Sequence, residues 1–419
     1  MKKLEVFGVS KLKGQIKISG SKNASLPILA ATLLSGKKIS LTNVPRVKDV
    51  ETMIKLLESM GSKVKKFQKG NSLLIQNNKK IKTKAGYNLM STMRAGIIVL
   101  GPLLARFGKA KVSTPGGCSI GFRPIDLHLE ALKSMGVKYK IINGYVHASA
   151  KNGLIGTKIK FPKVSVGATE NLLIASCLAK GQTILSNCAI EPEIKDLTKF
   201  LNTIGAKITW TGKRQVKIIG VKKFKEGNFK IMFDRIEAGT MLIAGAINQN
   251  NLRIKAVDPN ILKTEINILK KIGAKIIQKK NEIIIQGRKK IKNINIKTSP
   301  FPGFATDLQA QMMVLLCKAN KKSYIKEDIF ENRFQSVSEL RRMNAEIQVR
   351  GNTAIIKGNT MFKGAQVMAT DLRASASLIL AALCAKGKTI ISRIYHLDRG
   401  YEDIEKKLKK VGAKIKRIN

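Results

Sequence analysis

Six times in 419 residues the chain closes an amphipathic helix with the same short phrase, and a repeat architecture is the only kind that accommodates this. The copies are M-G-S-K-V at Met60, M-G-V-K-Y at Met135, I-G-A-K-I at Ile204 and again at Ile272, M-N-A-E-I at Met343 and V-G-A-K-I at Val411. Their second residues stand at 61, 136, 205, 273, 344 and 412, which sets a period of about 70 residues. A glycine, or asparagine at 344, after the last apolar residue of a helix predicts a left-handed C-cap. Upstream of each phrase lies a second helical stretch that is apolar nearly all round and is therefore expected to be buried. These stretches are Ala24 to Leu34, Thr92 to Arg106, Ala168 to Ala179, Ile236 to Ile247, Asp307 to Ala319 and Leu372 to Ala385. Each leads into a β-like segment such as K-K-I-S-L-T or Q-T-I-L-S.

The unit is thus buried helix, strand, polar loop, amphipathic helix and strands, an α/β repeat. Six such units with long, irregular connections predict two three-fold domains rather than a solenoid, with a cleft between them. The lysine-rich K-K-F-K-E-G-N stretch at Lys222–Asn228 separates the third unit from the fourth. The expected domains are residues 22–229 and residues 230–419, the latter completed by residues 1–21, which precede the first buried helix.

The 78 basic and 27 acidic residues give a net charge of +51, which raises the reading of a basic RNA-binding protein. The lysines are spread along the whole chain and aromatic residues are only 5 %, so no base-stacking platform is apparent, and no specific nucleic-acid partner is expected. Apolar runs such as Ile97 to Ala105 are too short to span a bilayer, so no membrane insertion is expected. The first residues lack the apolar stretch of a signal peptide, and the five cysteines form no C-x-x-C pair. A reducing, cytoplasmic location is expected. His128 and His396 have no second ligand at metal spacing, and neither a phosphate-binding P-loop nor a dinucleotide fingerprint occurs, so no metal or cofactor is expected.

The stretch from Ser113 to Leu129 carries the densest chemistry. Pro115, Gly116 and Gly117 put Cys118 on a freely shaped loop, Arg123 offers a fork suited to phosphate or carboxylate, and Asp126 opens a helix. Two readings stand: a glycine hairpin with an inert buried thiol, or a reactive lid. The N-termini of the buried helices carry Lys22 and Asn23, Arg94, Ser165 to Thr169, Asp234 and Arg235, Thr306 and Asp307, and Asp371 to Arg373. Ser165, Thr306 and Asp371 read as N-caps. Cations at Lys22, Arg94 and Arg373 oppose the helix dipole and so call for an anion, as does Arg399 at a loop-to-helix junction.

These residues carry a resemblance that spans essentially the whole chain. G-S-K-N-A at Gly20, M-R-A-G at Met93, P-G-G-C-S-I-G-F-R-P-I-D-L-H at Pro115, S-V-G-A-T at Ser165, A-T-D-L-Q-A-Q at Ala305, E-N-R-F at Glu331, D-L-R-A-S-A-S at Asp371 and H-L-D-R-G-Y-E at His396 are the segments concerned. The chain resembles the UDP-N-acetylglucosamine 1-carboxyvinyltransferases, enolpyruvyl transferases that begin peptidoglycan synthesis. The resemblance implies two inside-out α/β barrel domains of three repeats each, with the active site in the interdomain cleft. It also implies phosphoenolpyruvate as donor and UDP-N-acetylglucosamine as acceptor. Cys118 would be the general acid and the site of a covalent adduct, and Asp307 the base toward the sugar hydroxyl. Lys22, Asn23, Arg94, Arg123, Asp371, Arg373 and Arg399 would hold phosphoenolpyruvate. Arg94, Arg123, Pro124, Ile125, Asp126, Leu127, Lys163, Val164, Ser165, Val166, Asp307 and Ile329 would hold the UDP-sugar. Ala305 departs from the proline usual before Thr-Asp. The rival enzyme reading is a 5-enolpyruvylshikimate 3-phosphate synthase, against which the Cys-bearing loop argues.

Overall fold

The structure, a computed structural model, describes residues 2–8, 11–78, 80–114, 125–247 and 249–419. All six predicted cap positions have positive φ: Gly61 at 106°, Gly136 at 92°, Gly205 at 108°, Gly273 at 109°, Asn344 at 74° and Gly412 at 102°. Each therefore turns the chain out of its helix in the left-handed region that glycine, and next to it asparagine, adopts at least cost.

The strands form six four-stranded sheets among the described residues. All follow one plan: a first strand runs parallel to a second, and two antiparallel strands complete the sheet. In the second repeat Lys84–Ala85 lies parallel to Lys109–Ser113, which pairs antiparallel with Tyr145–Ser149, which pairs antiparallel with Lys138–Ile142. Three sheets take a strand from outside their own repeat. Gly227–Lys230 joins Ile39–Thr42 of the first repeat. Lys13–Lys17 joins Asn251–Lys255 of the fourth, and Lys3–Phe7 sits between Lys388–Ser392 and Lys414–Ile418 of the sixth.

The chain divides into two compact units, one of residues 20–114 and 125–232, the other of residues 2–8, 11–19 and 233–419. The first therefore runs past the lysine-rich stretch at Lys222–Asn228, because the strand Gly227–Lys230 closes its first sheet. Within each unit three buried helices form the interior and the sheets lie outside. Lys22–Ala31, Leu100–Phe107 and Val166–Ser176 serve the first unit, and Arg235–Ala246, Gln309–Cys317 and Leu372–Cys384 the second. Each unit has its own apolar core. The sheets within a unit remain separate, so the helices are wrapped by three sheets and not by one continuous barrel wall. No described helix is long and apolar enough to cross a membrane.

Two of the buried helices depart from the expected spans by opening as 3₁₀ turns, Arg94–Val99 before Leu100–Phe107 and Thr306–Leu308 before Gln309–Cys317. The first has a visible cause. The side-chain amide of the fully buried Asn171 bridges the junction, its Oδ1 accepting the Gly101 N–H at 2.7 Å and its Nδ2 donating to the Ile97 carbonyl at 3.2 Å. The groups that an α-helix would pair with each other, Ile97 C=O and Gly101 N–H, are both satisfied from a neighbouring helix. Only glycine fits there, since a Cβ at 101 would stand 2.2 Å from Asn171 Oδ1 and 2.6 Å from its carbonyl oxygen. Gly101→Ala should therefore expel the Asn171 amide and destabilise the protein by roughly 2–3 kcal/mol. An unchanged denaturation midpoint in urea would show that the bridge contributes nothing.

Candidate active site

Within the first unit, Ser21 caps the helix Lys22–Ala31, accepting the Ala24 N–H at 3.2 Å. Lys22, on the first turn, is almost wholly buried, and its Nζ donates to Asp49 Oδ2 at 3.2 Å. Asp49 is itself buried on the first turn of Lys48–Met60, where a carboxylate suits the dipole. The cation that the sequence left opposing its helix dipole thus has an anion within the fold. Asn23 beside it is half-buried.

Arg94 opens its 3₁₀ turn half-buried. It lies close enough to the His128 imidazole to help depress it: burial, then the Arg94 charge, push His128 down to about 4, against an opposing pull from Asp126. The His128 Nδ1 faces the Nδ2 of Asn171 at 3.0 Å, and its ring edge lies where a Cβ on Gly167 would touch it at 3.3 Å. His128 therefore draws three predicted segments together: Arg94, the helix start with Ile125, Asp126 and Leu127, and the Lys163, Val164, Ser165, Val166 approach to the helix Val166–Ser176. Asp126, Lys163 and Val166 are exposed, while Ile125, Leu127, Val164 and Ser165 are half-buried. Ser165 is the expected cap, its Oγ accepting the Ala168 N–H at 3.3 Å. Cys118, Arg123 and Pro124 lie outside the described residues.

Behind this group sits a set of carboxylates that the sequence reading passed over. Glu170, Glu191 and Glu193 are all buried. Burial, then the charges of Glu193 and Glu191, push the Glu170 carboxyl well above the usual carboxylate range.

In the second unit the centre is Asp307. It does not cap a helix. Its Oδ1 accepts from Arg333 Nη2 at 2.5 Å and its Oδ2 from Arg373 Nη2 at 2.7 Å. Both arginine side chains are 5 % exposed and that of Asp307 is 26 % exposed, so two buried cations clamp a side chain that is itself partly accessible. Thr306 is not a cap either. Its hydroxyl donates to Glu327 Oε2 at 2.9 Å, and the other oxygen of the buried Glu327 accepts the N–H groups of Ile329 and Phe330 at 2.8 and 3.1 Å. This ties the loop of Ile329 to the residue preceding Asp307.

Asp371 is the expected cap, accepting the Arg373 and Ala374 N–H groups at 2.7 and 3.0 Å. Arg373 lies 5.5 Å from the centre of the Tyr401 ring, whose hydroxyl meets Thr240 at 2.9 Å and Gln311 at 3.1 Å. Arg399 is half-buried and, after burial, its charge is what lowers His396, with Asp371 opposing. A Cβ on Gly400 would stand 2.7 Å from Leu372 Cδ2, so the turn after Arg399 packs on the start of Leu372–Cys384. Asp307, Asp371, Arg373 and Arg399 are thus brought into one neighbourhood. Arg333 and Glu327 were missed as functional residues; the E-N-R-F segment was the available signal for the first.

The arrangement can bind anions and move a proton at a hydroxyl. It also fixes a pH response. Folded His128 titrates at about 4, below its ordinary value of 6.5. Between those values the unfolded chain binds a proton that the folded one refuses. The contribution is therefore full above pH 6.5 and is lost as the pH falls to about 4, up to roughly 3 kcal/mol. His128→Gln should flatten this slope, so the stability gap between wild type and variant shrinks from pH 7 to 4.5. A constant gap in paired denaturation curves would contradict the buried neutral imidazole.

A family model described as EPSP synthase (3-phosphoshikimate 1-carboxyvinyltransferase) matches residues 6–408. A protein of Pelagibacter ubique named UDP-N-acetylglucosamine 1-carboxyvinyltransferase is 72 % identical over 419 residues, the whole of both chains. Proteins of the same name from Geotalea uraniireducens and Rickettsia prowazekii are 50 % and 48 % identical, again over the whole of both chains. Among solved structures, the enolpyruvyl transferase NikO from Streptomyces tendae superposes with a TM-score of 0.90 at 23 % identity, covering 99 % of this chain and 98 % of that one. The EPSP synthase from Acinetobacter baumannii gives 0.78 at 17 % over the whole of both chains. At those identities the structures speak for the fold of two α/β domains. The full-length sequence matches go further: the chain belongs to the EPSP synthase family of enolpyruvyl transferases, among its UDP-N-acetylglucosamine 1-carboxyvinyltransferases.

Proposed function

We propose that the chain transfers the enolpyruvyl group of phosphoenolpyruvate to the 3-hydroxyl of UDP-N-acetylglucosamine and releases phosphate. The observation that carries this reading is the 72 % identity, over the whole of both chains, to a protein bearing that activity's name.

The chemistry divides among the residues as follows. Phosphoenolpyruvate brings a phosphate and a carboxylate. Arg94, Arg123 and Arg399 bind them, with Lys22 and Asn23 at the helix start beside Arg94's unit core, and Asp371 orients the backbone from which Arg373 projects. The Cys118 thiol gives its proton to the vinyl CH₂ carbon as the sugar 3-oxygen attacks the adjacent carbon and Asp307 accepts the hydroxyl proton. The product is a tetrahedral ketal. The thiolate then takes back a proton from the new methyl group, the double bond reforms as the carbon–oxygen bond to phosphate breaks, and the released phosphate takes up the proton that Asp307 had accepted, restoring both groups. Fixed cations stabilise the positive-to-neutral passage of the central carbon only indirectly, by holding the two anionic groups of the donor in place. Cys118 is also the nucleophile for a covalent adduct with the donor. Ile125 to Leu127, Lys163 to Val166, Asp307 and Ile329 hold the UDP-sugar, with Pro124 preceding them in the chain.

Arg373 and Arg333 give Asp307 a fixed orientation while its side chain stays partly exposed, which suits a base aimed at a single hydroxyl. This clamp changes what a conservative substitution does. An asparagine can accept from one guanidinium, but its NH₂ then faces the other donor. Asp307→Asn should therefore lose about 1–3 kcal/mol of stability as well as roughly 10²-fold or more in turnover. Unchanged turnover and stability together would remove Asp307 from both roles. Cys118→Ala should keep the fold and lose most phosphate release with both substrates present; a fully active alanine variant would exclude the thiol from the chemistry. Phosphate release with shikimate 3-phosphate in place of the UDP-sugar would overturn the choice of acceptor.

A further inference from the structure

The +51 charge is not distributed alike over the six sheets. In the second unit each sheet face has a carboxylate among its lysines. Glu282 pairs with Arg253 at 2.8 Å and Lys255 at 3.2 Å, Asp328 with Lys297 at 2.7 Å, and Glu5 with Lys416 at 2.9 Å. The described strands of the first unit contain no Asp or Glu at all. The sheet of its second repeat concentrates the imbalance. Registers place Lys84 opposite Lys111, Lys111 opposite His147, and His147 opposite Lys140, so these four side chains form one cross-strand row on one face. The next row on that face is Lys109, Ser149 and Lys138.

Four of the five lysines are exposed and Lys111 is half-buried. None of the five is in an ion pair among the described residues. Like charges directly opposite one another on a sheet oppose folding unless something outside the chain compensates them. At the other end the face turns apolar: Ile142 opposes Tyr145, and Ile142 is 47 % exposed. Tyr87, 59 % exposed, donates its N–H to the Tyr145 hydroxyl at 3.2 Å, and Ile141, also exposed, is on the same edge strand. The Lys111 ammonium lies 5.2 Å from the Tyr145 ring centre, which occupies that ring.

We propose that this face is a docking surface for an anionic phospholipid bilayer, to which the protein adsorbs without inserting. A flat array of lysines matches a plane of phosphate headgroups, and exposed tyrosine and isoleucine at its margin suit the interfacial layer. A single-stranded nucleic acid would need a run of aromatic rings to stack on, whereas Tyr145 is taken up by Lys111 and Tyr87 is the one other ring described at this margin, beside aliphatic Ile141 and Ile142.

The test is co-sedimentation of the full chain with vesicles of about one third phosphatidylglycerol in phosphatidylcholine, against pure phosphatidylcholine. Binding to the anionic vesicles only is expected, and it should fade as salt shortens the screening length. The triple variant Lys111→Gln, Lys138→Gln, Lys140→Gln should bind on the order of 10²-fold more weakly, since each lysine near such a surface contributes about fivefold. A control with the same loss of charge on the other unit, Lys13→Gln, Lys275→Gln, Lys279→Gln, should bind like wild type. Equal weakening by both triples would reduce the effect to net charge and overturn the proposal. So would binding of an RNA duplex through the same lysines with no binding to vesicles. Phosphate release by each variant reports that it is folded, since none of these lysines is in the catalytic set.

Discussion

A helix that is apolar on every side cannot be covered by the sheet of its own repeat, and the rest of the architecture follows from that. Lys22–Ala31 and Val166–Ser176 bury nearly all their residues and Leu100–Phe107 most of its own, yet each repeat has only one four-stranded sheet and one amphipathic helix. Three repeats around a common helical interior solve the problem, and strands borrowed from distant sequence complete three of the sheets. Gly227–Lys230 alongside Ile39–Thr42 is such a closure, linking the last segment of one unit to its first. Apolar burial at about 25 cal/mol per Å² favours this closed arrangement over an open array with an uncovered end repeat.

Burying whole helices also buries their ends, and the polar residues of the candidate site are the consequence. Every first-turn N–H needs an acceptor, which Ser21, Ser165, Asp234 and Asp371 provide. Cations in the same turns need compensation, which Asp49 gives to Lys22 and Asp307 gives to Arg373. Removing one member of such a pair strips a buried charge of a compensating neighbour, so stability and function are bound together at these positions. Arg333 makes the point most directly: it donates to the carboxylate proposed as the base, and it does so from a side chain only 5 % exposed.

Much of this was legible in the letters. The six cap positions were readable because a left-handed residue admits few side chains, and even Asn344 in place of glycine was interpretable. The buried helices were readable from their lack of a polar face. What was not readable depended on partners far away in sequence. The 3₁₀ opening at Arg94–Val99 is set by Asn171, some seventy residues on, and no local propensity announces it. Thr306 looked like a cap because it precedes an apolar helix; that its acceptor is instead Glu327, and that Arg333 and Arg373 hold the neighbouring Asp307, is a matter of tertiary geometry. The domain limits at 19/20 and 232/233 were placed by strand pairing rather than by composition.

Net charge shows the same limit from another side. A value of +51 read from composition says only that the surface is basic, and an even scatter of lysines along the chain is compatible with a protein that binds no polyanion at all. Pairing register turns that scatter into places. Lys416 and Lys388 flank Glu5, and Lys297 and Lys326 flank Asp328, so those sheets hold their own counter-charges. Lys84, Lys111 and Lys140 share one row with no carboxylate beside them. Residues more than fifty positions apart thereby acquire a common field, and that field acts on whatever lies within a screening length of the sheet. The functional content of the excess charge lies in which lysines the β-registers set side by side, and only secondarily in how many there are.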